Sequence, residues 1–80
     1  MGQGNGKTAL QDAPRTAIVV NGEPVETPAR TLAELVAGQG FSATAVATAV
    51  NGDFVPREAR AARLLTGGDA VEIVAPRQGG

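Results

Sequence analysis

Hydrophobic patterning begins at Thr16. Thr16-Ala17-Ile18-Val19-Val20 is a short β-branched run that stops at Asn21-Gly22, a dipeptide suited to the positive φ angles of a type I′ hairpin turn. A second strand, Glu23 to Thr27, alternates Glu23, Val25 and Thr27 with Pro24 and Glu26. Pro24 cannot donate to a ladder, so this strand should lie at a sheet edge or point that position outward. Thr31-Leu32-Ala33-Glu34 reads as a capping box, in which the Thr hydroxyl accepts from the Glu34 backbone and the Glu side chain reaches back. A helix of about two turns follows, with Leu32, Leu35 and Val36 on one stripe, Gly38 and Gly40 as the left-handed stop and Phe41 folded against its end.

Ala45 to Val50 is ambiguous, because Ala favours helix. Val46, Thr48 and Val50 nevertheless share a period-two face, and Asn51-Gly52 is a second hairpin signal, so the segment is assigned as a strand with Asp53-Phe54-Val55 as its partner. Pro56 ends that pair. Arg57 to Leu65 has enough Ala and Leu for a short helical or 3₁₀ turn. Thr66-Gly67-Gly68-Asp69 turns the chain into a last strand, Ala70 to Val74, with Val71 and Ile73 on one face. Strands and one helix in this order predict an α+β domain in which a mixed sheet packs one face on the helix. Its expected core is Ile18, Val20, Leu32, Leu35, Val36, Val50, Leu65, Val71 and Ile73.

Composition narrows the chemistry. Cys, His, Trp and Tyr all count zero, so no disulfide framework, Cys or His metal site, Cys-His dyad or Ser-His-Asp triad can be built from these residues. Seven Lys and Arg nearly balance eight Asp and Glu, and two Phe are too few for a base-stacking platform, which argues against nucleic acid and anionic membrane as partners. The longest apolar run, Ala17 to Val20, falls far short of the roughly 20 residues of a spanning helix, and the N-terminus lacks the apolar core of a secretory signal. The expectation is a soluble cytoplasmic protein. Gly67-Gly68-Asp69 is not a phosphate loop, since the Lys-Ser/Thr ending and a following helix are missing. Asp53, Glu58 and Asp69 suggest neither a metal site nor an acid/base pair.

Three regions follow. Residues 1–15, rich in Gly and Gln, read as a disordered extension or tag; 16–76 form the domain; 77–80 form a flexible tail. Arg77-Gln78-Gly79-Gly80 spans roughly 13 Å when extended. Backbone without Cβ enters a narrow active site easily, and a terminal carboxylate is then open to activation by a partner enzyme. A terminal Gly-Gly is equally compatible with a frayed end or a cloning scar.

Gly68-Asp69 before the last strand, the terminal Gly79-Gly80 and, more specifically, Val55-Pro56-Arg57-Glu58 after Asn51-Gly52-Asp53-Phe54 resemble the ThiS family of ubiquitin-like sulfur carriers. The resemblance covers Thr16 to Gly80 and implies a β-grasp fold of four to five strands on one main helix. It further implies that a ThiF-like adenylyltransferase uses ATP to adenylate the Gly80 carboxylate, that a sulfur donor such as a cysteine desulfurase converts it to a thiocarboxylate, and that a ThiG-like thiazole synthase receives the sulfur. The chain would then be a protein co-substrate with no catalytic residue and no bound cofactor, ATP being used by the partner. Family members often carry an aromatic two residues after the Arg-Glu pair, where this chain has Arg60.

The same residues also fit a carrier for molybdopterin or cysteine synthesis, a ubiquitin-like modifier joined to a target Lys, or a non-covalent β-grasp interaction module. Phe54, Val55, Arg57, Glu58 and Arg60 are candidate docking residues for a partner, with Arg63 beside them. Core packing of Phe54 and Val55, and simple solvation of the charges, are the competing readings.

Overall fold

Two Asn-Gly turns establish the strand pairing. Asn21 and Gly22 have φ of 50° and 85°, and Asn51 and Gly52 have φ of 53° and 87°, the doubly positive geometry whose twist matches paired strands. In the computed structural model, which describes residues 14–75, the first turn joins β1 (Thr16–Val20) to β2 (Glu23–Thr27), with Thr16 opposite Thr27 and Val20 opposite Glu23. The second joins β3 (Ala47–Val50) to β4 (Asp53–Val55). β5 (Ala70–Val74) inserts between the hairpins, parallel to β1 and antiparallel to β3, giving the order β2-β1-β5-β3-β4. This is the expected mixed sheet, and β2 with its Pro24 lies at the edge. The assigned tail and nearly all of the assigned N-terminal extension lie outside the described residues.

The helix α1 (Leu32–Gly38) starts as its cap dictates: the Thr31 hydroxyl accepts from the Glu34 backbone N–H at 3.1 Å. Glu34 reaches back one residue further than a capping box requires, accepting the N–H of Arg30 at 2.7 Å. At the other end the Gly40 N–H donates to Ala37 and the Phe41 N–H to Val36, at 3.0 and 3.1 Å, which is a Schellman closure. The left-handed residue is Gly40, at φ 86°, while Gly38 belongs to the helix. Phe41 packs partly buried against the core.

Leu32, Leu35 and Val36 of α1 meet Ile18, Val20, Val50, Val55, Val71 and Ile73 from the sheet. Each such side chain contributes about 1.5–3 kcal/mol by leaving water. Two expectations are corrected here. Leu65 is only partly buried, packing against the core's margin where its backbone N–H joins the Arg30 carbonyl ahead of α1 at 2.9 Å. Val55 takes a core place, because pairing with Thr48 directs it to the same inner face as Val50.

β3 also begins later than the expected Ala45. Ala43–Ala45 instead forms a 3₁₀ turn, closed by the Ala45 N–H on the Ser42 carbonyl at 3.0 Å. The segment after Pro56 is a second 3₁₀ turn, Arg57–Ala62. It returns the chain to the start of α1, where Leu64 bridges Thr31 and the Arg63 carbonyl accepts from Leu32.

Candidate functional site: the open sheet face at the root of the C-terminal segment

α1 covers one face of the sheet, and strand alternation leaves the other open. On β4, Phe54 alternates with buried Val55 and so points to the opposite face, where it stands 69 % exposed. The register places it opposite Ala49, which in turn faces Glu72 of β5; one row along, Ala47 faces Val74, itself 57 % exposed. Directly opposed residues lie about 4.5–5.5 Å apart, so Phe54, Ala49, Ala47 and Val74 form one patch of apolar and small side chains interrupted by the single carboxylate of Glu72. Exposed apolar side chains grouped on an open sheet face make this the candidate surface for meeting another molecule. Val74 is followed by Ala75 and then by the chain leading to Gly80, so the patch adjoins the root of that segment.

The structure therefore brings one expected docking residue, Phe54, onto an open surface and removes two others. Val55 is 8 % exposed and belongs to the core. Arg60 is 3 % exposed, although it sits on the same short turn as exposed Arg57 and Glu58. Its guanidinium turns inward: Nε donates to Thr48 Oγ1 at 3.0 Å, Nη1 to the Ala43 carbonyl at 2.8 Å and Nη2 to the Val46 carbonyl at 2.8 Å. Thr48 Oγ1 donates in turn to the Val55 carbonyl at 2.8 Å, so the hydroxyl both accepts and donates. Arg60 thus fastens the first 3₁₀ turn and β3 to the second 3₁₀ turn, and a buried fork of this kind is unavailable to a partner.

Asp69, ahead of β5, is also buried and also internal. Burial by itself would push its carboxyl up, but the Thr66 backbone N–H at 2.8 Å, the Asn51 amide at 2.9 Å and the Arg63 guanidinium outweigh that and hold it below the usual 3.8. Arg63 stands 3.6 Å from it. No group of three or more acidic side chains converges among the described residues. No helix among them is long and apolar enough to cross a membrane. Arg77, Gln78, Gly79 and Gly80 lie outside the described residues. The companions of Phe54 were missed in the sequence; the signal for them is the period-two alternation of β3 and β5, which becomes useful once the strand order is known.

The model of the ThiS family matches residues 18–80, from Ile18 in β1 through the helix and the other four strands to Gly80. The chain belongs to the ThiS family. Among solved structures, a crystal structure of a thiamine biosynthesis protein (ThiS) from Geobacter metallireducens is 32 % identical with a TM-score of 0.67, over 81 % of this chain and 100 % of that one. A solution structure of a thiamine biosynthesis protein from the same organism is 30 % identical with a TM-score of 0.68, over 81 % of this chain and 88 % of that one. No curated protein matches. The five-stranded mixed sheet on one main helix is the ubiquitin-like β-grasp of these ThiS structures.

Proposed function

We propose that the protein is a sulfur carrier for the thiazole of thiamine, with the carboxylate of Gly80 as its working group. The observation that carries this reading is the family match, which runs without a break into Gly79-Gly80. The solved structures of thiamine biosynthesis proteins favour thiazole over other sulfur-containing products.

The chemistry needs little from the chain itself. A carboxylate is a poor electrophile. A ThiF-like adenylyltransferase would let the Gly80 carboxylate attack the α-phosphate of ATP, forming an acyl-adenylate and releasing pyrophosphate. Sulfur at the sulfide level, delivered from a donor such as a cysteine desulfurase, then attacks the acyl carbon. AMP departs with its oxygen, and a thiocarboxylate remains. A ThiG-like synthase takes the sulfur and returns the carboxylate. All acid, base and metal chemistry belongs to the partners, so a chain without His or Cys suffices as a co-substrate. Phe54, Ala47, Ala49 and Val74 seat the activating enzyme on the open face, and exposed Arg57 and Glu58 lie on the turn that follows β4.

Deleting Gly79 and Gly80 tests the assignment in cells that depend on this protein for thiazole. Loss of growth without thiazole, with an unchanged melting temperature of the truncated protein, is expected. Normal growth of the truncated strain would remove Gly80 from the mechanism.

A further inference from the structure

β1 is too short to support β5 along its whole length. Its backbone reaches β5 through the Val19 N–H on the Asp69 carbonyl at 2.9 Å and the Asn21 N–H on the Val71 carbonyl at 2.8 Å, and then the chain turns away at Gly22. The next β5 residue facing this side is Ile73, whose N–H and carbonyl would both lack a partner. The side chain of Asn21 supplies both. Its Oδ1 accepts the Ile73 N–H at 2.9 Å and its Nδ2 donates to the Ile73 carbonyl at 3.1 Å. The amide acts as one more peptide unit of β1, two residues before the segment that leads to Gly80.

The turn alone does not explain this residue. A type I′ position with φ 50° accepts Asn, Asp or Gly. Only Asn among them carries a donor and an acceptor side by side; Asp presents two acceptors, one of them against a carbonyl, and Gly presents nothing. The second turn makes a useful contrast. Asn51 also bonds to β5, through the Ala70 N–H at 2.9 Å, but at the strand's opposite end.

We infer that Asn21 is a positioning residue for the carrier chemistry: by pairing Ile73 it fixes the point and direction from which the C-terminal segment leaves the sheet. This rests on the carrier reading above. An activating enzyme that holds the domain by its open face must find the Gly80 carboxylate at one place. Ile73 is the last β5 residue bonded on this side before the six residues that separate it from Gly80, so play there shifts the anchor of the reacting end, and a misplaced reactant lowers the rate of the step without weakening docking.

The test uses the full chain with ATP and a ThiF-like activating enzyme, varying carrier concentration and following pyrophosphate release, alongside amide hydrogen exchange of the carrier alone. Asn21→Gly keeps the turn and deletes the amide; Asn21→Asp keeps the turn and the acceptor; Asn51→Gly makes the same change at the far end of β5. In Asn21→Gly, Ile73 exchange should quicken at least about tenfold while core amides of α1 stay protected. For both Asn21 variants kcat should fall roughly 3- to 10-fold with KM for the carrier unchanged, and Asn51→Gly should keep the wild-type kcat. Wild-type kcat in the Asn21 variants, or an equal fall in Asn51→Gly, overturns the inference and leaves the carrier reading standing. A wild-type chain that is never adenylated by an enzyme active on other carriers overturns the carrier reading itself, whatever the exchange of Ile73.

Discussion

Replacing Arg60 by Met separates a structural role from a docking role. Met matches the length of the Arg stem and has no donor, so the variant deletes three bonds made by one cation: to Thr48 Oγ1, the Ala43 carbonyl and the Val46 carbonyl. Bonds to charged groups contribute about 1.5–3 kcal/mol each, so their gross loss is several kcal/mol. Two effects reduce it. The desolvation cost of the buried guanidinium disappears with the charge, and the Ala43 and Val46 carbonyls, on residues that are not fully buried, regain water. Thr48 Oγ1 keeps its bond to Val55. A net loss of about 2–4 kcal/mol remains, a large share of the 3–5 kcal/mol that one small core supplies. At about 4–8 °C per kcal/mol for a domain of this size, Tm should fall by about 8–32 °C in calorimetry or thermal circular dichroism. Arg60→Lys keeps the charge but offers donors from one point, cannot span all three acceptors, and should recover less than half of the loss. A Tm for Arg60→Met within about 3 °C of wild type would refute the reasoning and return Arg60 to the surface as a docking residue.

Phe54→Ser should behave in the opposite way, leaving Tm within a few degrees because the ring is 69 % exposed, while raising KM for the carrier in the activation assay; an unchanged KM would mean the open face is not the docking surface. Asp69 makes stability pH-dependent. Its carboxyl is held below its ordinary value in the fold, so the stabilisation is fully present above the unfolded pKa of about 4 and is lost as pH falls through the folded value. Urea midpoints should therefore decline below about pH 4, less steeply in Asp69→Asn, and parallel declines in the two proteins would count against Asp69 as the group responsible.

Local chemistry made most of the fold readable. Both Asn-Gly turns, the Thr31 cap, the Leu32-Leu35-Val36 stripe and the Thr48-Val50 face depend on neighbours a few residues away, and these all reappear in the structure. What could not be read is what depends on distant partners. Arg60 sits among Arg57, Glu58 and Arg63 on an Ala-rich turn, where spacing gives no sign that one guanidinium faces inward. Its three acceptors lie 12 to 17 residues away and come together only after β3 has paired. Val55 and Phe54 are adjacent apolar residues on a three-residue strand, and only the register with Thr48 and Ala49 decides which enters the core. For the site, Phe54 was legible as a candidate, but Glu72 and Val74, across β3 from it, reach the same face by insertion of β5 between the hairpins, a consequence of topology that no short motif encodes.

The most direct measurement is the intact mass of the full chain after incubation with ATP, a ThiF-like activating enzyme and a sulfide source, beside a variant that lacks Gly80. A mass increase equal to the exchange of one oxygen for one sulfur, found in the full chain, located at Gly80 by fragmentation and missing from the variant, is the predicted result. A folded full chain that gains no such mass with enzymes able to charge other carriers, or that gains it equally without Gly80, would contradict the assignment of the C-terminal carboxylate as the sulfur-bearing group.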